Sequence, residues 1–166
     1  MNTESLGKYF LQELEAEIAA TRKCLERIPE SLFDWKPHEK LMQMGYLALL
    51  VAEMPKWITE TIENSVIDFV TFKHFQPQNT AELVNHFDEN ITGVQNALQK
   101  VTNEELSEKF YLKNNGVELY SSPKDETIRS TINHWVHHRG QLTVYMRLNN
   151  IPVPSIYGPS ADEKVF

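Results

Sequence analysis

Four long stretches of this chain repeat their apolar residues every three or four positions, and proline, asparagine or glycine separates each from the next. A stripe with that period can be buried only if the segment is helical, so the pattern asks for four amphipathic helices around one core. In the first, Leu11, Leu14, Ile18, Leu25 and Ile28 share a stripe, and Pro29 cannot continue the ladder; a helix from Ser5 to Ile28 is predicted. The second carries Met44, Leu47, Leu50, Val51, Met54, Ile58 and Ile62 on one broad face, which predicts a helix from Met44 to Asn64, kinked at Pro55, with Leu50 turned inward. The third opens at Asn79, a capping residue with Glu82 three positions on, and runs through Leu83, Phe87, Ile91, Val94 and Leu98. The fourth spans Lys124 to Asn149 and turns Ile128, Ile132, Trp135 and Leu142 inward, with Tyr145 or Met146.

The connectors complete an expected all-α fold: a four-helix bundle with a short β-hairpin between the third and fourth helices and an extended C-terminal tail. In "KFYLKNNGVELY" the period changes to two and Asn115-Gly116 supplies the positive φ angles of a tight turn. Leu32, Phe33 and Trp35 in "PESLFDWKPHEKL" are expected to plug one end of the bundle. The proline-rich tail "IPVPSIYGPSADEKVF" is expected to lie extended on the surface, anchored by Ile156 and Tyr157. At 166 residues the whole chain, 1–166, suits one domain that buries a core without a disulfide or structural metal. Any metal would therefore serve function rather than folding.

Composition removes several classes of function. The chain is 41% hydrophobic and 23% charged, as in an ordinary globular protein, and no apolar run is long enough to cross a bilayer. The opening "MNTESLGKYFLQELE" lacks a basic segment followed by an apolar one, so no secretory leader is expected and the cytoplasm is the default location. Net charge is −7 and the cations are scattered, which argues against a nucleic-acid partner. Cys24 lies within a helical pattern and reads as a packing residue.

The stretch "HWVHHRGQL" places His134 and His138 four residues apart, on one helical face, where two ring nitrogens can aim at one ion. A catalytic zinc or nickel centre needs at least one more protein ligand, and the HxxxH spacing by itself is more often solvated or hydrogen-bonded histidine. His137 points away and reads as a surface or dimer-interface residue; His74 and His86 have no partner pattern and read as solvated. Arg139 could clamp an anion, but an interhelical or interfacial ion pair is the simpler reading. Gln141 and Tyr145 continue the histidine face and suit either a cleft lining or hydrogen bonds in the core, while Trp57 and Trp135 suit packing.

"FDWKPHEKLMQMGYLALLVAEMPKWI", "NHWVHHRGQLTVYMRLNNIPVPSIYGPSADE" and the hairpin between them resemble the DinB/YfiT-like family of DNA-damage-inducible proteins over nearly the whole chain. The resemblance implies a four-helix bundle with a short hairpin, a homodimer, and a divalent metal, nickel or zinc, on three histidines. Most members have no assigned reaction; some relatives are bacillithiol-dependent thiol transferases or thiol-dependent isomerases, and others metal-dependent hydrolases. His134 and His138 match two of the three ligands. The third belongs in a stretch of the form LAxHxAExP, and here "LALLVAEMP" puts Leu50 in its place. Leucine has no electron pair to donate, so the triad is broken. Glu53, three positions on, or His38, just before the second helix, are the candidate substitutes.

Three classes of function follow. The first is an enzyme, a metal-dependent hydrolase or thiol S-transferase using His134, His138 and a substitute ligand. The second is a binding module, in which a degenerate metal site has become a mostly apolar pocket for a small molecule. The third is a dimerising scaffold.

Overall fold

The computed structural model describes residues 5–164, so the first four residues, part of the stretch read for a leader, and the last two lie outside it. Five helices and three strands follow one another as α1 (Leu6–Glu26), α2 (Met44–Glu63), β1 (Val66–Asp68), α3 (Thr80–Lys100), α4 (Asn103–Ser107), β2 (Lys109–Asn114), β3 (Val117–Pro123) and α5 (Lys124–Leu148). The four long helices form where the periodic stripes predict them, each end within two residues of expectation. α2 packs against both α3 and α5, and α1 lies against the same two helices. Leu14, Leu25, Leu47, Val51, Phe87, Leu98, Ile128 and Leu142 are among the buried side chains of a single apolar core.

Two elements were not expected, and the first of them, a strand, corrects the all-α expectation. β1 lies parallel to β2, which pairs antiparallel with β3, so the hairpin strands belong to a three-stranded sheet ordered β1-β2-β3. Three residues are too few to show a period, which is why β1 is silent in sequence. Its last residue ties the sheet together: the Asp68 carboxylate accepts from the N–H groups of Asn115 (3.0 Å) and Gly116 (2.7 Å), the two turn residues with positive φ. These bonds, with one from the Val70 N–H, hold the Asp68 carboxyl below its usual pKa range. The other addition, α4, did have a signal, a capping box in which the Thr102 hydroxyl and Glu105 carboxylate cap each other's backbone N–H.

Pro55 sits inside α2 and has no N–H, so the carbonyl of Val51, four residues earlier, loses its helical donor. The buried Trp135 indole on α5 donates to that carbonyl at 2.8 Å. The plug residues close the other end of α2: the Trp35 and Phe33 carbonyls accept from the Met44 and Gly45 N–H groups at 2.7 and 2.9 Å.

The C-terminal segment is not extended throughout. Asp162 and Glu163 fold back to accept from the Val153 and Ser155 N–H groups, and salt bridges from Arg147 and Arg27 hold the same two carboxylates. The cause is that Arg27, just past the end of α1, and Arg147 of α5 both meet the tail, a pairing across many residues that proline content does not reveal. Ile156 packs on the core as expected, and the Tyr157 hydroxyl is held between Arg139 and Glu17.

Candidate functional site

Three hydrogen bonds set the register of α2 against α5. The Lys124 ammonium donates to the Ile62 carbonyl, the Trp135 indole to Val51 and the Tyr145 hydroxyl to Met42. The helices therefore run antiparallel, one step forward on α5 matching one step back on α2. That register puts Leu50 at a height between His134 and His138. Met54, one turn on from Leu50, lines a cleft together with His134, so Leu50 shares the face of α2 that looks toward the histidines. Leu50 is half-buried and stands outside the core cluster, so its inward turn does not make it a core residue.

The rings of His134 and His138 lie 4.4 Å apart between centroids and are tilted by 39°. His138 is buried whereas His134 reaches solvent. The Nδ1 of His138 is 2.9 Å from Oε1 of Gln141, and since that oxygen can only accept, Nδ1 carries the hydrogen and Nε2 keeps its lone pair. Burial, then the neighbouring His138 and His137, hold the His134 pKa below the ordinary histidine value. His137 is exposed, with its ring 5.4 Å from that of His138.

Neither substitute donor is placed to join the pair. Glu53 is completely buried, and its carboxylate accepts from the Phe75 N–H at 2.8 Å while lying 2.6 Å from His74 Nδ1 and 3.3 Å from His86 Nε2. Burial pushes this carboxyl up, but the bonds from His86, Phe75 and His74 outweigh it and hold the pKa below the ordinary value. His74 and His86 are thus both partners of a buried acid; His74 is still exposed, as the solvated reading expects, whereas His86 is mostly withdrawn from solvent and stacks on Phe75 at 4.4 Å. These contacts join residues distant in sequence, so no local pattern marks them. His38 is exposed, and its Nδ1 accepts from the Lys40 N–H. Among the described residues, no three His, Cys, Asp or Glu side chains cluster closely enough to hold an ion. The donors at this site do not fit the three-ligand ion that the resemblance implies.

Beside His134 the sheet, α2 and α5 enclose a cleft of about 140 Å³. Met54, Trp57, Phe110, Leu112 and Tyr120 give its lining apolar and aromatic surface. Thr61 on α2 and Thr127, Ser130 and Thr131 on α5 add hydroxyl-bearing residues. The indole nitrogen of Trp57 is buried without an acceptor among the described residues, while its ring packs against Phe72 and Phe69 at 5.5 and 6.0 Å. A larger, more open groove of about 290 Å³ runs over Lys56, Glu60, Asp68 and Lys73 and includes none of the histidines.

The remaining residues of the motif serve the framework. Arg139 is buried and bridges to Glu17 on α1 at 2.5 Å, with further bonds to the Thr21 and Tyr157 hydroxyls. That is the interhelical ion pair, not an anion clamp. Tyr145 is a buried hydrogen-bonded residue, and its ring meets Trp35 edge-on at 5.7 Å.

A DinB family model matches residues 1–164 of this sequence. The chain belongs to the DinB family. It is 46% identical over 41 residues to an uncharacterised Bacillus subtilis protein, YrdA, a match that covers 25% of each chain. Its fold resembles that of a DinB-like protein from Bacillus subtilis, YjoA, with a TM-score of 0.70 at 16% identity over 89% of this chain and 96% of the other. A DinB-like protein from Bacillus cereus superposes with a TM-score of 0.69 at 22% identity, covering 90% of this chain and 97% of that one. A DinB family member from Exiguobacterium sibiricum gives a TM-score of 0.65 at 14% identity, covering 90% and 95%. At these identities the likeness concerns the fold. Among the described residues no helix is long and apolar enough to cross a membrane.

Proposed function

We propose that this DinB family member is a small-molecule binding protein whose ligand enters the cleft between α2, α5 and the sheet, and that His134 and His138 are the remainder of a divalent-metal site. The observation that supports this reading is the register of α2 and α5, which sets position 50 at the height of the two imidazoles, while Glu53 is engaged by His74, Phe75 and His86. Two imidazoles alone leave an ion mostly hydrated, so zinc or nickel should bind weakly.

A second reading is a metal-dependent hydrolase or thiol S-transferase that uses His134, His138 and a ligand from elsewhere. It draws on the His138–Gln141 bond, because that bond leaves Nε2 with a free lone pair, the arrangement that metal-bound histidines commonly share. Calorimetric titration of tag-free protein with zinc or nickel separates the two. The binding-module reading expects no metal retained stoichiometrically through gel filtration and a dissociation constant no tighter than about 10 µM, roughly 7 kcal/mol of binding. One tightly held equivalent per chain would sink it in favour of the enzyme.

A further inference from the structure

The cleft beside His134 differs from the polar groove on the same protein in one respect that bears on its occupant. None of its ten lining residues is Asp, Glu, Lys or Arg, whereas the groove over Lys56 and Asp68 carries four charged side chains. A charged ligand would lose hydration in this cleft without meeting an opposite charge. Its volume of about 140 Å³ is close to the roughly 150 Å³ at which an apolar protein cavity admits benzene. Trp57, Phe110 and Tyr120 give it aromatic surface, and Met54 adds a polarizable filler.

Two of the hydroxyls in the lining have a definite polarity. Thr131 donates its hydroxyl hydrogen to the Thr127 carbonyl at 2.8 Å, and Thr61 donates to the Trp57 carbonyl at 2.8 Å. The Thr127 and Ser122 hydroxyls share a bond of 2.7 Å. With those hydrogens committed inside the protein, Thr131 has oxygen lone pairs to offer to a ligand's hydrogen, while the Ser130 and Tyr120 hydroxyls in the same lining can donate as well as accept.

We infer that the occupant of the cleft is an uncharged, largely apolar molecule of about single-ring size that brings a hydrogen-bond donor, such as an aryl alcohol or an N–H heterocycle. This rests on the reading of the cleft as the binding site, and the test separates the two. Isotope-labelled full-length protein is titrated with benzyl alcohol, benzyl methyl ether, benzoate and benzylammonium, following the Trp57 indole N–H and the Thr131 amide by NMR. Benzyl alcohol is expected to saturate both signals in the low-millimolar range, about 4 kcal/mol of binding, with the two ions at least about tenfold weaker. The ether, which has no donor, is expected to bind several-fold more weakly than the alcohol, and Thr131→Val to erase that advantage. Ser130→Trp, at an exposed position on the rim, is expected to abolish the response. If either ion binds as well as the alcohol, or the ether does, the ligand class is overturned while the cleft stands. If no probe binds, or Ser130→Trp changes nothing, the cleft itself is not the site and both readings fall.

Discussion

At the scale of single residues, Leu50 decides how this protein departs from the three-histidine pattern that its sequence otherwise resembles. It holds the height between His134 and His138, and among the described residues no third His, Cys, Asp or Glu joins them in a cluster close enough to hold an ion. Leu50→His should therefore restore a three-imidazole set and raise zinc or nickel affinity by at least about a hundredfold, roughly 2.8 kcal/mol. Paired calorimetric titrations of wild type, Leu50→His and Leu50→His with His138→Ala check this, and no gain in the single variant would mean that the side chain at position 50 does not face the pair. That position 50 carries leucine where the resemblance expects histidine is legible in sequence because the motif numbers its own positions. The fate of Glu53 is not, since its partners lie 21 and 33 residues away and their contact depends on how a loop returns to α2. Cys24 is a plainer case: its helical stripe predicts packing, and burial pushes its thiol up to about 11.

Whole elements were legible where a period ran long enough to be counted. All four long helices and the Asn115-Gly116 turn follow from pattern, while β1, only Val66–Asp68, has no period and is placed by pairing with β2. The tail shows the same limit, because its folded-back course depends on Arg27, just past α1, and Arg147 of α5. Between helices, Pro55 and Trp135 form a unit that neither segment announces: one removes a backbone donor from the Val51 carbonyl and the other replaces it. Trp135→Phe should then leave a buried carbonyl unpaired, at a cost of about 1–3 kcal/mol beyond the loss of packing. In a Pro55→Ala background the restored N–H can take the Val51 carbonyl, so the same substitution should cost measurably less. Denaturant unfolding of the four members of that cycle gives the coupling directly, and additive effects would show that the indole and the proline act independently.

For the molecule as a whole, acid should loosen the fold through two separable sets of groups, even though overall charge acts in the opposite sense. The chain carries a net charge of −7 and an isoelectric point near 5.4, so lowering the pH from neutral first relieves self-repulsion. Against that, His134 has a folded pKa below its ordinary value, so the unfolded chain takes up the proton first as pH falls through about 6.5, and stability is lost from there downward. Glu53 has a folded carboxyl below the usual range, as do Asp162 and Glu163 beside Arg147 and Arg27; their contribution is complete above the unfolded carboxylate values and disappears as pH falls through the folded ones. The two sets can be read apart by substitution. His134→Gln should flatten the decline of stability just below pH 6.5, relative to wild type, and leave the more acidic limb in place. Glu53→Gln keeps the volume but has only one acceptor oxygen for Phe75, His86 and His74, so at neutral pH it should cost about 1–3 kcal/mol and flatten the limb below about pH 4.5. Urea unfolding of the three proteins across this range is the measurement. If Glu53→Gln melts in parallel with wild type at every pH, the buried carboxylate is not what pins the loop before α3, and the acid limb belongs to the exposed pairs of the tail.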